Sequence, residues 1–110
     1  MKRILFVLAA AAASTAQAQQ PAAGDAKAAE PYVSMCGGCH SIPGYQSSFP
    51  YVHHVPKIAG QSAAYIESSL RAYAKGERNN PTMSGLARTL TDKQIVDIAA
   101  YYAERGAPSK

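Results

Sequence analysis

Cys36, Cys39 and His40 are the residues of this 110-residue chain whose types and spacing could do chemistry together. The stretch Cys36-Gly37-Gly38-Cys39-His40 sets two thiols three apart, with an imidazole immediately after the second. That is the C-x-x-C-H pattern of c-type haem attachment. On a helix, positions 36, 39 and 40 are i, i+3 and i+4 and share one face. Two thiols there can join a porphyrin's vinyl groups as thioethers while the imidazole meets the iron from the same side. Gly37 and Gly38 each lower helix propensity by roughly 1 kcal/mol relative to alanine, but without side chains they let the backbone lie close to a flat ring. Three other uses compete. A thioredoxin-like redox disulfide lacks the βαβ pattern that surrounds such motifs. A structural disulfide would close a very small loop and staple little. A zinc site would draw Cys36, Cys39 and one or two of His40, His53 and His54. Haem attachment is the reading the motif favours.

An iron held by His40 has a second axial position to fill. Beyond Met1, the methionines are Met35 and Met83. Met35 adjoins Cys36 and is bound to the histidine side of the ring. Met83 comes 43 residues after His40, in an expected loop behind Asn79-Asn80-Pro81, free to approach the other face. Methionine is more often a core filler than a ligand, yet Met83 is the candidate. His53 and His54 invite a bis-histidine alternative, but adjacent residues cannot both face one iron. Their default reading is solvent-exposed loop histidine.

The N-terminus carries an address. Lys2 and Arg3 precede the apolar run Ile4-Leu5-Phe6-Val7-Leu8 and an alanine stretch, followed by the small-x-small site Ala16-Gln17-Ala18. This is the layout of a cleaved secretory signal over residues 1–18; the apolar run is about half the roughly 20 residues a bilayer span needs. Cleavage after Ala18 would leave 92 residues with nine basic and seven acidic side chains. Two ionised haem propionates would then bring the net charge near zero, so the pI of 9.2 gives no support to nucleic-acid binding. In an oxidising compartment two thiols would normally pair; thioether bonds would consume both.

The elements that must position these residues read as helices. Ninety-two residues make one small domain, near the size where a hydrophobic core alone is marginal. A buried porphyrin would supply apolar volume that a chain without tryptophan lacks. Residues 19–29 read as a flexible segment running into the first helix, 30–106 as the domain and 107–110 as a tail. Asp25 to Cys39 predicts a helix disturbed by Pro31, either starting near Glu30 with proline in its first turn or kinked there. Ser41 to Gly60, with five glycine or proline breakers, predicts a loop. Ser62 to Lys75 predicts a second helix, capped by Ser62 and closed by Gly76. A short turn is expected from Ser84 to Leu90. Thr91 with Gln94 forms a capping box that starts the last helix, along which Ile95, Ile98, Ala99 and Tyr102 make an apolar stripe. The chain reads as all-α, with no convincing strand. It shows no nucleophile–base pair and no carboxylate dyad.

Three stretches together resemble the class I cytochrome c family, of the small soluble monohaem kind found in the bacterial periplasm. They are Cys36 to His40; Val55-Pro56-Lys57-Ile58-Ala59-Gly60-Gln61 followed by Tyr65; and Gly76-Glu77-Arg78 through Met83 and Leu90-Thr91 to Ile95 and Ile98-Ala99-Ala100-Tyr101. The resemblance implies an orthogonal helix bundle around one covalent haem c, with first and last helices crossing so that Ile98 and Tyr101 meet Ala28 and Tyr32. It implies that the Pro56 carbonyl accepts a hydrogen bond from the His40 imidazole. It implies His40 and Met83 as iron ligands, an arrangement that raises the reduction potential. The expected function is single-electron transfer in the periplasm by a monomer that is not an enzyme. It would meet redox donors and acceptors in transient complexes, with no stable membrane insertion after signal cleavage. A haem-bearing subunit of a larger redox enzyme and a ligand-binding or peroxidatic haem protein are the alternatives. The Gly-Gly pair, Pro31 and the long loop with His53 and His54 are less typical of the family.

Overall fold

Thr91 opens the helix on which the rest of the fold is assembled. In the computed structural model, which describes residues 23–47 and 52–105, its hydroxyl accepts from the Gln94 amide while Gln94 Oε1 accepts from the Thr91 amide. Two backbone donors at the start of the helix are thereby satisfied. The elements in chain order are α1 (Ala26–Ala29), α2 (Ser34–His40), β1 (Gln46–Ser47), β2 (His53–His54), α3 (Ala63–Lys75), α4 (Pro81–Ala87) and α5 (Asp92–Glu104). Helix α5 packs on α1 along one side and on α3 along another, and α3 also carries α4. One cluster joins them: Ala29 and Val33, Ile66 and Leu70 of α3, Ala87 of α4, and Ile95, Ile98, Ala99 and Tyr102 of α5. The fold is all-α apart from one very small sheet. Residues 1–18, read as a secretory signal, and the tail 107–110 lie outside the described residues.

The disturbed first helix is two short helices. Pro31 has no N–H to give the Lys27 carbonyl, which instead accepts from the Glu30 amide at 3.2 Å. The chain then turns through residues 30–33, with the Tyr32 and Val33 amides both on the Ala29 carbonyl, and resumes as α2. So Pro31 lies between the helices rather than at the start of one.

Helix α1 is only four residues long and needs outside support. Asp25 caps it, its Oδ1 accepting from the Lys27 and Ala28 amides. The Asp25 amide in turn donates to Asp97 Oδ1 of α5 at 2.8 Å. Asp97 is 1% exposed; its other oxygen accepts from the Tyr32 hydroxyl at 3.2 Å, and Lys93 Nζ lies 2.9 Å from both. Just before α1, a Cβ on Gly24 would come within 2.0 Å of the Val96 carbonyl oxygen. The backbone passes over α5 at a distance only glycine permits. Gly24→Ala should therefore lift this segment and lower stability by on the order of 2 kcal/mol, read as a reduced Tm of the holoprotein. An unchanged Tm would contradict the close approach.

Two further expectations need correction. The chain between Ser41 and Gly60 is not strand-free: Gln46 pairs with His54 and Ser47 with His53 in an antiparallel ladder. The Val55 amide extends it to the Tyr45 carbonyl at 2.9 Å. With two residues per strand, no alternating pattern is long enough to show in the sequence. The stretch around Met83 is not a loop but helix α4. Asn80 caps it, Oδ1 accepting from the Met83 amide at 3.0 Å, and Pro81 takes the first helical position, where a missing N–H costs nothing.

Candidate functional site

The C-x-x-C-H residues fill the second half of α2, so the three side chains share one helical face. The two cysteines form no disulfide with one another, and both are half-buried. Burial, and then the neighbouring Cys39, push the Cys36 thiol above its ordinary value. Burial also pushes the Tyr102 phenol beneath it up to about 12, with Cys36 adding to the shift. Among the described residues no three His, Cys, Asp or Glu side chains converge on a point that could hold a metal ion.

His40 is oriented by backbone. Its Nδ1 lies 2.6 Å from the Pro56 carbonyl oxygen. A carbonyl only accepts, so Nδ1 carries the proton and the lone pair resides on Nε2. The segment that brings Pro56 there is tied to the core: the Gly60 amide donates to the Tyr102 carbonyl at 2.9 Å, and Ile58 packs against the buried cluster.

Cys36, Cys39 and His40 open onto a cavity of about 330 Å³. Its floor is apolar, built by Ile58, Ile66, Leu70, Leu86, Leu90 and Ile98. Met83 lines it from the third residue of α4, held by the Asn80 cap. Helices α2 and α4 do not pack on one another, and the cavity they share lies between them. Pro56 and both hairpin histidines also line it; His53 and His54 are exposed, and His54 Nδ1 is 3.2 Å from Gln46 Nε2. Ser69, Arg78, Asn80 and Thr82 add a polar lining, of which Ser69, Asn80 and Thr82 were not foreseen from the sequence. Its signal was present in part: Gly76, in the left-handed region at φ 80°, ends α3 and turns the chain back over it.

The donor set suits the group its motif calls for. Two thiols and an imidazole on one helical face, a thioether across an apolar cavity and a tautomer that leaves Nε2 available match a flat, covalently held iron porphyrin. The profile of the cytochrome c family matches residues 26–104. The chain belongs to the cytochrome c family. It carries one covalently bound haem c, attached at the two cysteines of the C-x-x-C-H motif, and its function is electron transfer. Cytochrome c-554(548) of Halomonas halodenitrificans is 42% identical over 86 residues, which cover 76% of this chain and 99% of that protein. A thiosulfate dehydrogenase electron acceptor of Thiomonas intermedia is 36% identical over 70% of this chain, but only 34% of the relative is spanned. Among solved structures, reduced recombinant cytochrome c4 from Pseudomonas stutzeri superposes with a TM-score of 0.61 at 33% identity, covering 76% of this cytochrome and 47% of that chain.

Proposed function

We propose that this cytochrome is a free single-electron carrier of the periplasm, with iron held by His40 and Met83, and that it catalyses no reaction itself. The observation carrying the proposal is the pairing of His40, fixed through Pro56, with Met83 on another helix lining the same apolar cavity. When bound, haem supplies an iron that gains and loses one electron. The protein's part is to keep the coordination the same in both states. Pro56 fixes the imidazole ring and increases its basicity. The Asn80 cap and Pro81 fix the start of α4, and so the approach of the Met83 thioether. The apolar floor excludes water. His40 and Met83 together would hold the iron and leave substrate no place at it, which favours a carrier over an enzyme.

Periplasmic placement rests on the signal-like residues 1–18. No helix among the described residues is long and apolar enough to cross a membrane. Complexes with donor and acceptor should be small and short-lived, at the low end of interface size. The name of the Thiomonas relative favours one second reading, in which the chain serves a particular dehydrogenase as its electron acceptor. A stable stoichiometric complex at purification would support that reading over a free carrier.

The covalent attachment has its own test. Acid and organic solvent should leave haem on the wild-type protein and extract it from the Cys36→Ala/Cys39→Ala double variant. Either single variant should be intermediate. Release from wild type would overturn thioether attachment, and absorption spectra of the reduced and oxidised protein would report the ligation directly.

A further inference from the structure

The carbonyl that orients His40 belongs to a proline, and Pro56 has no N–H with which to anchor itself. Its neighbours must hold it. Downstream, Ile58 and Gly60 tie the chain to the core. Upstream, the hold passes through the base of the hairpin. The Val55 amide donates to the Tyr45 carbonyl at 2.9 Å, and the Tyr45 amide donates to the Ile42 carbonyl at 3.3 Å. The Ser41 amide donates to the Gly37 carbonyl at 3.2 Å, which joins this base to α2. The chain from His40 to Pro56 is thus a circuit closed over 16 residues by the imidazole itself. Ile42 to Tyr45 is a turn with Pro43 second and Gly44 third, and Gly44 lies in the left-handed region at φ 65°. A type II turn takes this pair of residues, because its third position needs a positive φ. Among the described residues neither strand packs on a helix. A ladder with two residues per strand has little stability of its own. The turn, rather than tertiary packing, therefore sets where the ladder leaves α2 and where Val55 and Pro56 return.

We infer that Gly44 is a positioning residue for the iron site: its left-handed turn aims the Pro56 carbonyl at His40 Nδ1 and so sets how basic the imidazole is toward iron. A carbonyl that draws on Nδ1–H makes Nε2 a stronger donor, and a stronger donor favours ferric iron. Hydrogen bonds weaken steeply as they bend. A carbonyl turned away from Nδ1 would leave a weaker donor and a higher reduction potential. A Cβ on Gly44 would meet nothing within 4 Å. Glycine is needed there for its φ and not for space, so a substitution acts through the backbone alone. The inference rests on covalent haem with His40 as an iron ligand, but not on the identity of the sixth ligand.

The test combines proton NMR of the ferrous holoprotein with its reduction potential. Gly44→Ala puts a residue that avoids positive φ into the turn. The His40 Nδ1–H resonance should move upfield and exchange faster with solvent, and the potential should rise. Asparagine enters the left-handed region more readily than alanine, so Gly44→Asn should restore both readouts in part. Gly24→Ala is the control for destabilisation alone. It strains the contact with the Val96 carbonyl rather than the hairpin, so Tm should fall while the Nδ1–H signal and the potential stay at their wild-type values. If Gly44→Ala leaves both readouts unchanged, or Gly24→Ala moves them as far, the inference is wrong. Should Gly44→Ala fail to accumulate, hydrogen exchange in the wild-type protein decides the matter. The Val55 amide and His40 Nδ1–H should lose protection together as denaturant is added; an Nδ1–H that stays protected while the Val55 amide exchanges freely overturns the inference. Wild-type His40 ring protons without the ring-current shift of a ligand held over a porphyrin would instead remove His40 from the iron, so the two failures are distinguishable.

Discussion

With His40 and Met83 as the proposed iron ligands, Met83→Ala should yield a protein that still folds around covalent haem but has lost its sixth ligand. Nothing that attaches the ring involves this side chain. Cys36, Cys39 and the His40–Pro56 hydrogen bond belong to other segments. The cap of α4 uses the Met83 backbone amide, which alanine keeps. What disappears is a neutral, soft thioether that favours ferrous over ferric iron. The variant should become high-spin or water-ligated, bind carbon monoxide when reduced and cyanide when oxidised, and have a lower potential. Axial ligation moves haem potentials across roughly 0.8 V in all, so the change should be among the largest any single substitution here can produce. His53→Ala/His54→Ala is the control and should leave spin state and potential nearly unchanged. If the histidine variant loses the low-spin spectrum while Met83→Ala keeps it, the sixth position belongs to the hairpin.

The second large effect is expected at Asp97. Lys93, then the Asp25 amide, and to a lesser extent the Tyr32 hydroxyl hold its carboxyl below the ordinary value of 3.8, against the opposing effect of burial. Replacing it with asparagine removes the charge and leaves at least one of these donors without an acceptor. Hydrogen bonds to charged groups contribute about 1.5–3 kcal/mol each, but Lys93 is 72% exposed and its share is discounted for solvent. A loss on the order of 3 kcal/mol follows, and a fall in Tm on the order of 10–20 °C for a domain of this size. The pH dependence has a definite sign. A carboxyl whose folded pKa is depressed contributes its full stabilisation above the unfolded value. That contribution is lost as pH falls below 3.8 through the folded value. Wild type and Asp97→Asn should therefore differ by a constant amount near neutrality and converge in acid. A gap independent of pH down to strong acid would show that shape rather than charge holds α1 to α5.

The two sites differ in how far the sequence revealed them. Cys36, Cys39 and His40 are local: their spacing alone puts them on one face. The same is true of Ser62, Gly76 and the Thr91–Gln94 box, whose partners lie within a turn. Asp97 is legible only from its partners. Its neighbours in α5 suggest a solvated charge, and the groups that bury it come from Asp25 and Tyr32, 72 and 65 residues away. Asn80-Pro81 was ambiguous for a different reason. The same pair that breaks a chain also caps and starts a helix, and only packing of α4 on α3 selects the second outcome. Arg78 sits between these cases. Gly76 announces the turn, but the Tyr73 ring and Ser69 hydroxyl that catch the guanidinium become its neighbours only after α3 has formed.

The Asp25–Asp97 contact also decides how the molecule bears load. It joins segments near the two ends of the described chain, with Glu30 and Arg105 adding a pair at 3.7 Å beside it, so the polypeptide between them forms a closed belt. Closing a loop of that length costs on the order of 4 kcal/mol in chain entropy, a cost shared by every element strung along it. Helix α1 lines no part of the cavity, and α5 contributes Ile98. Tension applied at the termini would therefore reach the buckle first, shearing α1 along α5, while the walls that grip the porphyrin stayed slack until it opened.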